Sequence, residues 1–176
     1  MRPIWINEKK IEPLGHVCAA RTEHGLLALS FPSTVDSFRT HLAKKYPDAE
    51  IHDSDDPLLE DLFQQIDQYV QAKRTKFDHA IDPDVVSGFQ KMALDATSKV
   101  SYGTTVTYKQ IAVMIGQPNA ARAVGRAEAT NPLPLVIPCH RVIGSDGNMH
   151  GYGAGKGIAT KQWLLELEQR VLNNKG

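Results

Sequence analysis

The sequence is short of several things, and each shortage excludes a class of protein. Its two cysteines, Cys18 and Cys139, are too few and too far apart for a disulfide framework. Neither sits in a C-x-x-C pair, so no metal is expected; His16, Cys18 and His24 are close in sequence, but in an alternating strand-like run that fits chance placement. No apolar run approaches the roughly 18 residues of a membrane span, so no membrane partner is expected. The stretch Met1-Arg2-Pro3-Ile4-Trp5 opens no apolar core with a small-residue cleavage site, and a cytoplasmic protein is expected. A net charge of zero gives none of the global basicity that marks many nucleic-acid binders. There is no internal repeat and no low-complexity tract.

What remains is the composition of a folded protein, 41% hydrophobic with charges of both signs over 176 residues, enough for one domain or two small ones. Residues 81–176 carry ten Lys/Arg against seven Asp/Glu, and residues 1–80 carry ten against thirteen. That mild polarity permits a local phosphate-contacting surface without demanding one.

Residues 16–31 read as two short strands around a His24-Gly25 turn. Val35, Phe38, Leu42 and Ala43 mark a helical face within 33–45. Asp56-Pro57 is well suited to start the next helix, along which Leu59, Leu62, Phe63, Ile66, Tyr69 and Val70 trace a strong stripe. Residues 73–83 break the periodicity and read as a link between two regions. Beyond it, Phe89, Met92, Ala93 and Ala96 make a helix. Thr107 is placed to cap a helix over 108–115 and Asn119 a second over 120–130, with Gly116-Gln117-Pro118 between. Two short helices around a glycine-containing turn have the form of a helix-turn-helix, though such pairs are common in any globular protein. Leu135-Val136-Ile137 reads as a short apolar strand, 144–157 as a glycine-rich loop, and 158–171 as a final amphipathic helix.

Cys139 stands between Pro138 and His140 at the end of that apolar run. A free thiol, with a pKa of about 8.5, is only a few per cent ionised at neutral pH, and His140 and Arg141 are candidates to favour its thiolate. The bland alternative is a small thiol packed at a strand end, the commoner fate of cysteine. Local sequence alone divides evenly between them.

Pro138-Cys139-His140-Arg141-Val142-Ile143, preceded by Asn131-Pro132 and by Ala121-Arg122-Ala123-Val124-Gly125, resembles the signature of the O6-alkylguanine-DNA alkyltransferases. The likeness extends upstream to Thr107-Tyr108 and downstream to Gly151-Tyr152 and Trp163-Leu164-Leu165, so it covers about residues 85–170 in order. It implies an α+β protein: a small sheet-and-helix lobe over 1–80, then a mainly helical, winged-helix-like catalytic domain with a helix-turn-helix over 81–176. It implies direct-reversal repair in which an alkyl group passes from O6-alkylguanine, with O4-alkylthymine as an extension, to Cys139 in a single irreversible turnover. No cofactor is expected. The expected partner is double-stranded DNA, approached by one monomer through the minor groove, with association to the nucleoid in a prokaryote.

The resemblance also assigns roles. Cys139 is the alkyl acceptor, and His140 removes its proton through water, oriented by Glu168 in preference to Glu166. Tyr108 donates a hydrogen bond as charge moves onto the guanine ring. Arg122 replaces the extruded nucleotide in the stack, on a slim helix whose Ala121, Ala123 and Gly125 allow close approach to the groove; Arg126 contacts phosphate and Asn131 braces the chain before the cysteine. Tyr152 and Val142, the latter through its carbonyl, line the base pocket. Two features depart from the pattern. Residues 153–162 are longer and richer in glycine than the family norm, which bears on pocket size. Glu128 is acidic where an apolar or basic residue is usual, and is expected to pair with Arg126 or face solvent. The rival readings are an alkyltransferase-like lesion binder, which would lack the acceptor cysteine, a helix-turn-helix regulator, and a cysteine hydrolase. The last is awkward because adjacent residues of a strand face opposite ways.

Overall fold

The computed structural model describes residues 2–173. The chain divides into two units, one through Val85 and one from Val86 onward.

The first unit is built on β1 (Arg2–Ile11), β2 (Gly15–Thr22), β3 (Gly25–Ser30) and β4 (Ala49–Asp53), in the order β3-β2-β1-β4. β1 runs antiparallel to β2, with Glu8 opposite Cys18, and parallel to β4, with Ile4 opposite Ile51. α1 (Val35–Lys45) lies between β3 and β4 in sequence, and α2 (Pro57–Val70) follows β4. Asp56 caps α2, its carboxylate accepting from the Leu58 and Leu59 amides at 2.9 and 3.3 Å, while Pro57 takes the first turn, where a missing N–H costs nothing. Asp56 also pairs with Arg21 of β2, which joins the helix start to the sheet. The apolar stripe of α2 is buried throughout, with Leu59, Leu62, Phe63, Ile66 and Tyr69 sealed from solvent.

β1 and β4 fall outside the strands read from the sequence. The link is also shorter than its lack of periodicity implied: Ile81 bridges Leu26, and Asp82 accepts from Thr22 and Arg2, so residues 81–85 belong to the first unit.

The second unit opens with α3 (Gly88–Thr97), continues through β5 (Val106–Thr107), α4 (Tyr108–Met114) and α5 (Ala121–Ala129), and ends with α6 (Ile158–Asn173). Ala93, Ala96, Val100, Ile111, Ala112, Val124, Ala127 and Val142 form its core. Thr107 makes a reciprocal capping box with Gln110, as its position before an apolar run predicts. Asn119 does not cap: the residue before α5 is Ala120, whose side chain has no oxygen to offer.

The apolar run before the cysteine is a turn. Leu135 has a φ of 73°, the Ile137 amide donates to Leu133 at 2.8 Å, and Cys139–Arg141 is one turn of 3-10 helix. Pro134 and Pro138 flank the run, and neither has an N–H for a strand ladder. Leu133, Leu135 and Ile137 are apolar because they are buried, at 0, 2 and 4% exposure. β6 (Val142–Ile143) begins only after the 3-10 turn and lies parallel to β5.

Candidate active site

Cys139 opens the 3-10 turn at 4% exposure. Asn131 Nδ2 donates to its Sγ at 3.0 Å and to the Ile137 carbonyl at 2.9 Å, while Asn131 Oδ1 accepts from the Leu133 amide at 3.0 Å. One amide side chain therefore spans the turn just after α5 and fixes the sulfur. Burial pushes the Cys139 thiol up to about 12, against the lowering effects of Asn131 and the charge of Lys161.

His140 and Arg141 turn to Glu168 of α6, not to the thiol. His140 Nε2 lies 2.6 Å from Glu168 Oε1, and Arg141 reaches the same carboxylate through Nε at 3.0 Å and Nη2 at 3.0 Å. The Gly103 amide adds a bond of 2.6 Å to Glu168 Oε2, and Arg141 Nη1 donates to the Val100 carbonyl at 2.6 Å. Burial alone would raise the Glu168 carboxyl; the hydrogen bonds and charges of His140 and Arg141 outweigh it and hold the group down to about 2. His140 is wholly buried, and its pKa is lowered by that burial against the pull of Glu168, so the ring is neutral. An ionised carboxylate can only accept, so Nε2 carries the ring proton and Nδ1 is the basic nitrogen. Glu166, the less favoured candidate, is exposed and bonds Gln162 at 2.9 Å.

A second cluster centres on Lys161, which the sequence analysis did not single out. It is 1% exposed, and its Nζ donates to the Val142 carbonyl at 2.6 Å, the His150 carbonyl at 3.2 Å and the Tyr108 hydroxyl at 3.4 Å. Tyr108, at the start of α4, donates in turn to the His150 carbonyl at 3.1 Å. Burial lowers the Lys161 pKa, with Cys139 and Glu128 opposing, and burial pushes the Tyr108 hydroxyl up to about 12. A signal for Lys161 was available: it stands seven residues before Glu168, two turns along the same face of α6. The Val142 carbonyl, expected to line a base pocket, is thus an acceptor for Lys161.

Glu128 overturns its expectation. It neither pairs with Arg126 nor faces solvent, but is 5% exposed and accepts a 2.6 Å hydrogen bond from Thr97 on α3. Val124, Ala127 and Glu128 form the buried face of α5. Arg122 and Arg126 lie on the opposite, exposed face, and neither side chain bonds any described residue. Gly125 faces Tyr108, and a Cβ there would stand 3.9 Å from its ring. Ala121 and Ala123 are partly exposed, and Tyr152 is buried at 9% exposure. Gly153 is required by close approach: a Cβ would come within 2.6 Å of the Ala129 carbonyl oxygen.

The 6-O-methylguanine DNA methyltransferase pattern matches almost the whole chain, its ribonuclease-like domain over residues 12–83 and its DNA-binding domain over residues 88–170. The chain belongs to this methyltransferase family. It is 34% identical over 89% of its length to the methylated-DNA–protein-cysteine methyltransferase of Methanosarcina acetivorans, covering 93% of that protein. The relative of the same name from Methanosarcina barkeri is 47% identical over 61% of this chain and 66% of its own. Among solved structures, Mycobacterium tuberculosis OGT in complex with DNA superposes with a TM-score of 0.74 at 33% identity, covering 96% of this chain and 94% of that one. Among the described residues of this family member, no helix is long and apolar enough to cross a membrane.

Proposed function

We propose that this chain is a methylated-DNA–protein-cysteine methyltransferase that repairs O6-alkylguanine in double-stranded DNA by taking the alkyl group onto Cys139. The observation that carries the reading is the setting of Cys139: a thiol fixed by Asn131, next in sequence to a neutral His140 bonded to ionised Glu168, in a domain that also buries a Lys161–Tyr108 pair.

The alkylated oxygen lies inside a base pair, so the nucleotide has to leave the stack, which costs a few kcal/mol. Arg122, exposed and uncommitted on α5, fills the gap from the minor groove, with Arg126 on phosphate. The small residues Ala121, Ala123 and Gly125 let the helix approach. The base then lies against Tyr152 and the chain at Val142.

The thiol proton passes through water to the basic nitrogen of His140. Glu168 orients that ring and steadies it as positive charge develops. The thiolate attacks the alkyl carbon in line: a C–S bond forms, the C–O bond breaks, and its electron pair moves into the purine. Tyr108, polarised by the Lys161 ammonium, supplies the hydrogen bond that neutralises this charge. The product is a thioether with no route to hydrolysis, so each chain acts once, as a monomer. A lesion-binding protein without transfer chemistry is not favoured, because the acceptor cysteine is present.

The test is intact-protein mass after incubation with a duplex carrying one O6-methylguanine, beside Cys139→Ala. A gain of one methylene mass mapped to Cys139 is expected, and binding without that gain would overturn transfer.

A further inference from the structure

Glu128 is the acid in this site that the mechanism leaves unused. Its Oε1 accepts from Thr97, whereas Oε2 is buried without a hydrogen-bond partner. No ion pair reaches it among the described residues. Thr97 from α3 is hydrogen-bonded to it, and the ionisable groups within reach of its charge are Tyr108 from α4, Cys139 from the 3-10 turn and Lys161 from α6. Lys161 is the only cation among these four, and its donors are directed at the Val142 and His150 carbonyls and the Tyr108 hydroxyl. Lys161 can offset one buried anion here; with Glu128 and Cys139 both ionised the second has no counter-charge, because Arg141 is committed to Glu168.

We propose that Glu128 is a positioning acid that governs the nucleophile: its carboxyl group has to keep its proton for Cys139 to ionise, because both acids lie in the field of one buried cation, Lys161. The inference rests on Cys139 being the alkyl acceptor. Burial is the largest influence and pushes the Glu128 carboxyl up to about 7, with Thr97 and Lys161 only partly opposing it, and a charged Glu128 in turn raises the Cys139 thiol.

The consequence is a particular pH profile. Below about 7 the carboxyl is protonated, and reactivity rises roughly tenfold per pH unit as thiolate accumulates. Above it, protein that has lost one proton is shared between two isomers: carboxylate with thiol, or carboxylic acid with thiolate. Their ratio does not depend on pH, so reactivity levels off. Glu128→Gln cannot make the competing carboxylate. Its reactivity continues to rise, exceeding the native protein's by roughly a hundredfold two pH units above the break.

The experiment follows alkylation of Cys139 by iodoacetamide from pH 5 to 10, read by peptide mass, on the full chain and on Glu128→Gln. Methyl transfer from an O6-methylguanine duplex is measured in parallel. Levelling near pH 7 in the native protein and its loss in the variant are expected; a variant that levels at the same pH overturns the inference. Thr97→Val provides the second arm, and carries the test if Glu128→Gln does not fold. Removing the hydrogen bond that favours the carboxylate moves the break to higher pH, and an unmoved break is again fatal. Iodoacetamide profiles as expected, without methyl transfer from DNA, would sink the repair reading and leave the Glu128 coupling standing.

Discussion

Arg141 and His140 share one carboxylate: Glu168 Oε1 lies 2.6 Å from His140 Nε2 and 3.0 Å from Arg141 Nη2. The guanidinium neutralises Glu168, which leaves the imidazole free to remain uncharged and basic. The residue after the proposed base thus sets the base's state, although the signature gives it no chemical role.

Removing Arg141 leaves Glu168 and the Val100 carbonyl buried without their cation. Arg141→Met should cost about 3–5 kcal/mol of unfolding free energy, the usual loss when one partner of a buried pair is removed. Urea denaturation measures it, and a loss under about 1 kcal/mol would mean that the pair is replaced by water or by another donor.

Acid should act through Glu168. Its pKa is depressed from an unfolded value of roughly 4.3 to about 2. Its stabilising contribution is therefore present above pH ~4.3 and lost as pH falls through about 2. Glu168→Gln should flatten the fall in stability across that window, measured as urea midpoints at pH 2.5, 4 and 6. Parallel curves for the two proteins would contradict this.

Arg122 is exposed and its side chain makes no hydrogen bond or ion pair with a described residue, so Arg122→Ala should leave stability within about 0.5 kcal/mol of the native protein. Transfer from duplex DNA should fall steeply, while transfer from free O6-benzylguanine base should persist, since a free base needs no extrusion. Equal losses on both substrates would remove Arg122 from the extrusion step.

Lys161→Met removes the cation beside Tyr108 and Cys139 while keeping the length of the side chain. Single-turnover transfer should slow by about 10²-fold or more, the usual scale for losing a positioned proton donor or the charge behind it. Duplex affinity should be unchanged, because Arg122 and Arg126 lie on the exposed face of α5. Electrophoretic shift and quench-flow separate the two quantities, and an affinity loss equal to the rate loss would make Lys161 structural.

The sequence by itself determined what short-range chemistry controls. Asp56-Pro57 starts α2 because cap and proline act within one turn, and Thr107 with Gln110 starts α4 for the same reason. The stripe of α2 followed from a 3.6-residue period, and the Pro-Cys-His-Arg run with its flanking segments was sufficient to recognise the family. Only the tertiary structure decided the rest. β4 is short and mostly exposed, and it becomes a strand by pairing in parallel with β1, a contact across about fifty residues that no local pattern encodes. Leu135–Ile137 has the composition of a strand but turns between prolines, because burial demands apolar residues whatever the backbone does. The charged residues show the same division. From the sequence, Glu128 is expected to pair with Arg126 or face solvent, and Lys161 is not singled out, because neither sequence position shows what lies opposite it. Their partners come from α3, from α4 and from the turn at Cys139, so burial of each charge depends on packing of segments distant in sequence.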